Sequence, residues 1–398
     1  MLPFILLYLT FYLSTLVYAQ NSSFVHPGLL HTQADFDRIA AQVDKREEPW
    51  ITGFDKLAKT PHSQLGWNVK PAELIYRGKN PIAPQNYAIM FRDAAAAYAL
   101  AIRWKASGDV AYAEKAVEIL DPWISTLTAI HGSADRFLAA GLQGYQFANA
   151  AEILRTYKNW PPEKFDAAVA WLNDVFYPLN HRFLTTHNDA RIDDYWANWD
   201  LSTLASILSI GILSDNRTMY NEAVDYFKTG RGNGAIEHAI WYVHGNGTDS
   251  PLGQVQESGR DQGHTMMCLG LLATIAQTTY NQGDDFLPTL TIAFSQRDSE
   301  YVARYNFDGD VPYEPLWTKR HGWNRVIGSG GRGGIRPIWE IIYNHYAKLK
   351  GLDAPYTKRM VDKIRAVSGG AEGGDGDYVG GSGGYDALGY GTLLFSLP

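Results

Sequence analysis

The stretch QVQESGRDQGHTMMCLGLLATIA (254–276) carries the strongest signal for both fold and function in this chain. Its first half is polar and charged, whereas the part from Met266 onward is almost entirely apolar. The apolar part predicts a buried helix, and a dense polar cluster beside it is costly unless its members bind one another or a ligand. Arg260 and His264 are four residues apart, so a helix would place them on one face. The pair joins a fixed cation to a titratable base, which suits chemistry on an anionic substrate.

Apolar residues recur at helical spacing along most of the chain, with glycine and proline between the periodic segments. Convincing alternating strands are few. The predicted helices are 34–43, 88–106, 110–127, 137–157, 161–178, 200–214, 217–229, 234–244, 262–279, 285–297, 337–350 and 355–367. Antiparallel helix pairs without a sheet predict an all-α fold, an (α/α) toroid with the Ala- and Gly-rich helices inside. A solenoid of helical repeats is the alternative, but no fixed-period sequence repeat supports it.

The first nineteen residues, MLPFILLYLTFYLSTLVYA, are apolar and end in a small-residue pattern. We interpret them as a signal peptide (1–19) that is cut after Ala19, with a signal anchor as the alternative. No Gly/Ser linker divides the remainder, so 20–398 is predicted to be a single toroid domain. The mature protein is then expected to be secreted, extracellular, monomeric and free of the membrane. Three N-x-[ST] sequons add weak support for secretion and are candidate glycosylation sites: Asn21, Asn216 and Asn246.

The charge balance, with a formal net charge of −7, argues against a nucleic-acid partner and offers no basic face for a membrane. Aromatic residues are abundant, and those in polar contexts, WANWD (196–200) and HGWNR (321–325), fit stacking on sugars. Packing between helices is the alternative for each of them. Cys268 is the only cysteine, so no intrachain disulfide can form, and its apolar surroundings predict an inert buried thiol.

The histidines are scattered and form no HxH or HExxH pair, so we expect neither a metal nor a cofactor. The Gly-rich tail SGGAEGGDGDYVGGSGGYDALGYG (368–391) contains a GGDGD phrase similar to calcium-binding turns, but it lacks their repeated register. The tail is therefore predicted to be an irregular, ordered loop that returns along the core and is anchored by the final LLF.

Four stretches together resemble a known group of enzymes. FVHPGLLHTQADFDRI (24–39) resembles the opening of secreted alginate-lyase-type domains, and RFLAAGLQGYQFANAAEILR (136–155) resembles their inner-helix segment. QESGRDQGHTMMCLGLLATIAQ (256–277) resembles the arginine–histidine helix of that superfamily. GRGGIRPIWEIIYNHY (331–346) is similar to a late segment of polysaccharide lyase family 38, which acts on glucuronan and alginate. The resemblance implies an (α/α) toroid that cleaves 4-linked polyuronates by β-elimination, with an anionic uronic-acid polysaccharide as partner.

One departure from the pattern concerns the histidine. Many alginate lyases of this fold carry adjacent asparagine and histidine, whereas YWANWDLSTLAS (195–206) offers Asn198 followed by Trp199. The histidine role would then fall to His264.

Elimination requires two kinds of group. The proton on C5 is too weakly acidic while the adjacent carboxylate is charged, so amide and guanidinium donors must stabilise the developing negative charge. Asn198 and Arg260 are the candidates, with His264 or Gln143 in support. Glu257 and Asp261 are predicted to orient Arg260 and His264.

A base and an acid are needed near the C4–C5 bond, and tyrosine suits both tasks when a cation lowers its pKa. The loop-like stretch YVARYNFDGDVPYEP (301–315) offers Tyr305, which we favour because RYNFDGDVPY resembles the matching family segment, and Tyr313 in reserve. His264 would assist the tyrosine or take the proton itself. The side chains predicted to bind substrate are Gln143, Trp196, Gln262, Tyr313, Arg325 and Arg332.

Structural roles are the alternatives for the main candidates. Arg260 could pair only with Glu257 or Asp261, His264 could be a satisfied helix histidine, and Asn198 could cap a helix that begins near Leu201, for which Asp200 is the better cap.

Three other functions make different demands on the same residues. A glycoside hydrolase on the same toroid would need two carboxylates, such as Glu257 with Asp200 or Asp310. A noncatalytic carbohydrate-binding protein would leave the polar cluster at 257–264 unexplained, and a metal-dependent enzyme has little support.

Overall fold

The computed structural model describes residues 23–245, 251–284 and 292–398, without the side chains of 292–296. The predicted signal peptide (1–19) and the sequons at Asn21 and Asn246 lie outside the described residues. Asn216 is exposed, and its side-chain oxygen accepts a hydrogen bond from the Met219 main chain at 3.0 Å.

Helices dominate the described part of the chain. They are α1 (Gln33–Asp44), α2 (Trp50–Lys59), α3 (Tyr87–Ser107), α4 (Val110–Thr126), α5 (Asp135–Leu154), α6 (Pro162–Trp171), α7 (Tyr177–Thr186), α8 (Ala197–Leu213), α9 (Arg217–Thr229), α10 (Ile236–Ala239), α11 (Gln262–Asn281), α12 (Ile292–Asn306), α13 (Trp339–Tyr343), α14 (Pro355–Val367) and α15 (Gly391–Leu394). The strands form three separate pairs: β1 (Leu74–Arg77) with β2 (Ala129–Gly132) in parallel, and β3 (Ile240–His244) with β4 (Leu252–Val255) and β5 (Leu316–Thr318) with β6 (Gly322–Asn324) antiparallel.

Four inner helices, α3, α5, α8 and α11, pack side by side in that order. Every residue of α8 except Trp199 is buried, so this helix has no polar outer face. Gly141 and Gly144 of α5 face serines of α8: an added Cβ would stand 2.7 Å and 2.1 Å from the hydroxyls of Ser202 and Ser206, respectively. The small residues that suggested inner helices in the sequence therefore permit close contact between them.

Outer helices cover this inner layer. α4 packs on α3, α7 and α9 pack on α8, and α14 packs on α12 and α13. α14 buries Thr357, Met360, Val361 and Ile364, the spacing of a helix with a single apolar face. This arrangement of inner and outer helices confirms the predicted all-α class built from antiparallel pairs. No helix in the described ranges has the length and apolarity needed to cross a membrane.

The Gly-rich tail is ordered and returns along the core, as predicted. The ring of Tyr385 lies 4.3 Å from that of Phe91 on α3, and α15 packs against α2. The Leu394 main-chain oxygen accepts a hydrogen bond from Arg38 of α1 at 3.3 Å. The end of the chain thus packs against its first helices.

Two local predictions and one structural alternative were wrong. Residues 240–244 form β3 rather than the second half of a helix, because IWYVH is rich in β-branched and aromatic residues and pairs with β4. Residues 301–306 belong to α12, so Tyr305 lies in the last turn of a helix and not in a loop. α8 begins at Ala197, so Asn198 is not its cap. Asp200 does not cap it either, since its carboxylate binds His187 at 3.0 Å.

Candidate active site

The first turn of α11 holds a carboxylate–histidine pair. Asp261 is the N-cap residue: its Oδ1 accepts the main-chain N–H of His264 at 2.9 Å, and its Oδ2 lies 2.7 Å from His264 Nδ1. Burial opposes ionisation of Asp261, but hydrogen bonds from the side chain and main chain of His264, with the charges of His264 and Arg260, lower its pKa to about 2. The carboxylate is therefore ionised at neutral pH and accepts the Nδ1 proton.

This pairing determines what the other ring nitrogen can do. With Nδ1 donating to Asp261, Nε2 of neutral His264 carries the lone pair. Nε2 makes no hydrogen bond to another residue of the described chain, and the side chain is 38% exposed. The imidazole is thus oriented by one nitrogen and available through the other, which is the arrangement of a general base.

A second carboxylate connects three segments beneath this turn. Glu257 is fully buried, and its Oε2 accepts a hydrogen bond from Arg260 Nη1 at 2.9 Å. Its Oε1 accepts the main-chain N–H of Asn198 at 2.9 Å and the thiol of Cys268 at 3.2 Å. Burial and this carboxylate raise the pKa of the Cys268 thiol well above its ordinary value. Glu257 therefore orients Arg260 and keeps the thiol protonated.

Arg260 retains surface contact despite this ion pair. Its side chain is 28% exposed, and Cζ lies 5.5 Å from the ring centroid of Trp196. Nε lies 3.8 Å from Asp261 Oδ2, too long for a hydrogen bond but close enough for attraction. The structure thus brings Trp196, Glu257, Arg260, Asp261 and His264 together.

Asn198 adds an incompletely bonded amide. It is 1% exposed, its Nδ2 contacts only Met267 Sδ at 3.6 Å, and its Oδ1 has no hydrogen-bond partner in the described chain. Met267 follows His264 by three residues on α11, so the two share a helix face. Buried amides are normally satisfied, so an unsatisfied one is a candidate ligand contact.

A Gly-rich segment, 328–334, lies directly against residues 260–264, which we call the Arg-His turn. The Gly328 main-chain N–H donates to Ser258 at 2.8 Å, and that of Gln262 donates to Gly330 at 2.7 Å. A Cβ on Gly328 would stand 2.7 Å from the Arg260 main-chain oxygen. Glycine is required there because two backbones are in contact.

Gln262 is used within the protein. Its amide is buried, donates to the Gly328 main-chain oxygen at 2.9 Å and accepts from Asn306 at 2.9 Å. Because these bonds occupy its amide, Gln262 has no free donor for the substrate-binding role that was predicted for it. Gln143 is also buried, on α5, where it donates to Gln146 at 3.3 Å while its own oxygen has no partner in the described chain. No contact links Gln143 to the Arg-His turn.

Both candidate tyrosines lie near Tyr301, but they differ in their hydrogen bonds. Burial and the nearby phenols of Tyr313 and Tyr305 raise the pKa of Tyr301. Tyr313 donates its hydroxyl to the Asn324 main-chain oxygen at 3.0 Å, and burial raises its pKa to about 12. That hydroxyl also fills the space beside Gly259, where a Cβ would stand 2.1 Å from it. The Tyr305 hydroxyl makes no hydrogen bond to another described residue.

Arg332 and Arg325 occupy different surroundings. Arg332 donates to the main-chain oxygens of Tyr305 and Gly309 at 2.8 Å and 3.2 Å, and its Cζ lies 4.1 Å from the Tyr305 ring centroid. It therefore secures the end of α12. Arg325 is exposed at the end of the β5–β6 hairpin, and its Cζ lies 5.0 Å from the ring of Trp323.

Sequence reasoning missed two cations and their partner. Arg336 forms an ion pair with Asp386 of the tail, and its Nη2 lies 3.7 Å from the position of a Cβ on Gly263. Arg77 on β1 is partly buried, and desolvation lowers the pKa of its guanidinium, while Asp386 is among the carboxylates that oppose this shift. The signal for Arg336 was its place after the Gly-rich segment. Nothing in the sequence linked it to Asp386.

The carboxylates proposed for a hydrolase do not form a usable pair. Glu257 is occupied by Arg260 and Asn198, whereas Asp200 is buried and accepts from Tyr226 and the Gly234 main chain at 3.3 Å and 2.9 Å. Asp310 is exposed. In the described ranges no group of three or more His, Cys, Asp or Glu side chains could hold a metal ion.

Comparison with known proteins identifies the family of this chain. A family model described as alginate lyase matches residues 69–291, more than half of the chain. This chain belongs to the alginate lyase family. It is a polysaccharide lyase, and the (α/α) toroid prediction is confirmed by the solved structures that it resembles.

Three of those structures define the likeness. Alginate lyase A1-III from Sphingomonas species A1 is 14% identical with a TM-score of 0.55, over 95% of this chain and 96% of that one. An alginate lyase from Bacteroides ovatus is 12% identical with a TM-score of 0.58, over 94% and 100%. An A1-III variant with one histidine replaced by alanine, complexed with a tetrasaccharide, is 14% identical with a TM-score of 0.52, over 97% and 98%. No curated protein matches the chain.

Proposed function

We propose that this alginate-lyase-family protein cleaves 4-linked polyuronates, glucuronan or the polymannuronate form of alginate, by β-elimination. The observation that carries the proposal is the Asp261–His264 pair at 2.7 Å beside Arg260, which joins an oriented base to a cation on a partly exposed surface. The products would be chains with a 4,5-unsaturated uronate at the new non-reducing end.

Charge neutralisation is assigned to Arg260 and Asn198. The guanidinium uses Nη1 for Glu257, and its other N–H groups make no hydrogen bond within the described chain. The Asn198 amide has spare hydrogen-bonding capacity, and its nitrogen and oxygen positions can exchange by a flip. Together they would stabilise the dianion that develops on the uronate carboxylate as the C5 proton leaves.

Proton transfer is assigned to His264 and Tyr305. Nε2 of His264 would take the proton from C5, the electron pair would form the C4–C5 double bond, and the C4–O bond would break. The Tyr305 hydroxyl would protonate the leaving oxygen, so one proton enters and one leaves the site. We favour Tyr305 over Tyr313 because the Tyr313 hydroxyl already donates to Asn324. The proposed uronate contacts from Trp196 and Arg325 would position the chain.

The configuration at C4 and C5 of the sugar narrows the choice of substrate. Mannuronate and glucuronate share the geometry at C4 and C5, where the proton and the leaving oxygen lie on the same side of the ring. A base and an acid on one face of the substrate serve both sugars. Guluronate inverts C5 and would need groups on opposite faces. We therefore expect guluronate blocks to be poor substrates.

The cellular setting is part of the proposal. The apolar N-terminal segment and the sequons favour a secreted, glycosylated, extracellular protein, and the segment 331–346 favours family 38. Mass spectrometry of protein secreted by a eukaryotic host would test cleavage after Ala19 and glycan occupancy together. Retention of the first nineteen residues would contradict the secretion proposal.

The direct test of function is incubation with glucuronan, polymannuronate and polyguluronate separately, following ultraviolet absorbance of the unsaturated uronate. A rise with either of the first two polymers supports the proposal. Faster cleavage of polyguluronate would contradict the substrate assignment. New reducing ends without absorbance would contradict elimination.

A further inference from the structure

The β5–β6 hairpin presents two tryptophans to solvent. Trp317 and Trp323 are directly opposed in the antiparallel register, so both side chains project from one face. They are 53% and 54% exposed. All twelve tryptophans of the chain lie within its described part, and only these two are exposed. An exposed pair of large aromatic side chains usually marks a binding surface.

The hairpin is built onto the candidate active site. At its tip, His321 stacks on Trp196 with ring centroids 4.6 Å apart and an interplanar angle of 20°. On the strand, Asn324 lies against Gly259, where an added Cβ would stand 2.8 Å from Asn324 Cβ. Because side chains alternate between faces, Trp323 points away from the face that contacts Gly259. The tryptophans therefore extend the surface outward from Arg260.

The charge around this pair specifies the occupant. From Pro315 to Val326, the hairpin and its ends, the sequence contains no Asp or Glu and three cationic residues: Lys319, Arg320 and Arg325. The remainder of the chain is acidic overall, since the formal net charge is −7. Arg325 lies over one face of the Trp323 ring, with Cζ 5.0 Å from the ring centroid, so a cation stands next to an exposed aromatic side chain. Sugar rings offer apolar faces and uronates add a carboxylate, which matches both features.

We propose that Trp317, Trp323 and Arg325 form a distal subsite that binds the uronan chain outward of the sugars that contact Arg260 and His264. The proposal rests on the proposed function, because it takes a polyuronate as the ligand. It predicts that the hairpin contributes to binding of long chains and not to chemistry. Short oligosaccharides would fill the site near His264 without reaching the hairpin.

A purely structural role for the pair makes a different prediction. Cross-strand aromatic pairs stabilise hairpins, and an aliphatic pair would preserve much of that packing. The experiment therefore compares three double variants: Trp317→Phe with Trp323→Phe, Trp317→Leu with Trp323→Leu, and Trp317→Ala with Trp323→Ala. Only the phenylalanine variant retains the flat aromatic faces.

The kinetic measurement uses polymannuronate or glucuronan, whichever the wild type cleaves, and its purified tetrasaccharide. We expect the alanine and leucine pairs to raise KM for the polymer about tenfold with kcat retained, as expected from two aromatic contacts. The phenylalanine pair should stay near wild type, and rates on the tetrasaccharide should not change. Leucine variants equal to wild type on the polymer, or equal losses on polymer and tetrasaccharide, would overturn the proposal.

Binding is measured separately from cleavage, by electrophoretic retardation in gels that contain a uronan or a neutral glucan. Wild type should be retarded by the uronan alone, and the alanine pair should migrate freely. Arg325→Ala should weaken retardation, most at low salt, whereas Lys164→Ala on α6 should not. If the wild type cleaves no uronan, the proposed function fails, yet retardation that depends on the tryptophans would still support the subsite. Retardation that is unaffected by all variants would refute it.

Discussion

The main-chain N–H of Asn198 donates to Glu257 Oε1 at 2.9 Å, which joins the start of α8 to the segment before α11. The same carboxylate binds Arg260 through its other oxygen. One fully buried side chain therefore sets the relative positions of the Asn198 main chain and the Arg260 guanidinium, although Asn198 precedes Glu257 by 59 residues. Removal of either partner of this ion pair is expected to be strongly destabilising, because the other group is then left without its compensating charge.

Glu257→Gln should lower both stability and activity. The substitution removes the charge that balances Arg260, and breaking a buried ion pair costs about 3–5 kcal/mol, with the partial exposure of Arg260 placing this case at or below the lower end. Thermal or urea unfolding measures the loss. Glu118→Gln is a suitable control, because Glu118 lies on α4 with a side chain that is 64% exposed. Equal effects of the two substitutions would show that Glu257 does not organise the site.

His264→Ala should lower kcat/KM on the uronan by roughly 10³-fold, the usual contribution of a general base. Asp261→Asn should cost on the order of 10²-fold, since an asparagine oxygen still accepts the His264 main-chain N–H but the carboxylate charge that holds the imidazole ring is lost. An unchanged kcat/KM in Asp261→Asn would contradict the pairing of these two side chains.

The low pKa of Asp261 also predicts a pH dependence of stability. A carboxyl with a pKa of about 2 in the folded state and an ordinary value of 3.8 when unfolded stabilises the fold above pH 3.8. That contribution is lost as the pH falls from 3.8 toward 2. The difference in melting temperature between wild type and Asp261→Asn should therefore narrow over this interval. A difference that stays constant from pH 6 to pH 2 would argue against it.

Tyr305→Phe and Tyr313→Phe form a matched pair, since each removes one phenolic oxygen. We expect Tyr305→Phe to reduce kcat by about 10²-fold or more with little change in unfolding. Tyr313→Phe should mainly reduce stability, by about 1 kcal/mol, because it removes the hydrogen bond to the Asn324 main chain. The opposite pattern would transfer the acid role to Tyr313.

Gly328→Ala should displace the Arg-His turn, because its Cβ would stand 2.7 Å from the Arg260 main-chain oxygen. Overpacking of this kind costs about 1–3 kcal/mol, and activity should fall as Arg260 moves. Gly330→Ala, in the same segment, meets its nearest neighbour, Asp261 Cβ, at an ordinary 3.4 Å. It should be tolerated in both unfolding and activity assays. Equal tolerance of the two would show that backbone contact at 328 is not required.

Local sequence patterns predicted much of the fold and the central turn of the site. Long apolar and Ala-rich stretches located the inner helices α3, α5, α8 and α11, because a helix buried on all sides has no polar face. The sequence brought Arg260, Asp261 and His264 together, but the predicted shared helix face of Arg260 and His264 was wrong, because α11 begins at Gln262 and Arg260 lies before it. The cap and the histidine contact are both local, so they follow from residues that are close in the sequence.

Long-range pairing could not be predicted in the same way. Arg336 binds Asp386 across fifty residues, and no local pattern specifies that contact. The end of α12 was also misplaced. The Asp-Gly-Pro composition after Asn306 suggested that a loop began earlier than it does, although Arg332 secures the last helical turn from a distant segment. The sequence suggested Asp200 as a helix cap, but its carboxylate binds His187, a residue outside that helix.

The nearly complete burial of α8 implies a hierarchy of amide hydrogen exchange across the molecule. With every residue except Trp199 inside, the α8 amides can exchange only when neighbouring inner helices separate. Those amides should exchange at rates set by global unfolding. The β5–β6 ladder spans three residue pairs beside exposed side chains, so it can open on its own and exchange far sooner. The β5–β6 hairpin that would bind the uronan can thus open and close while the inner helices remain folded.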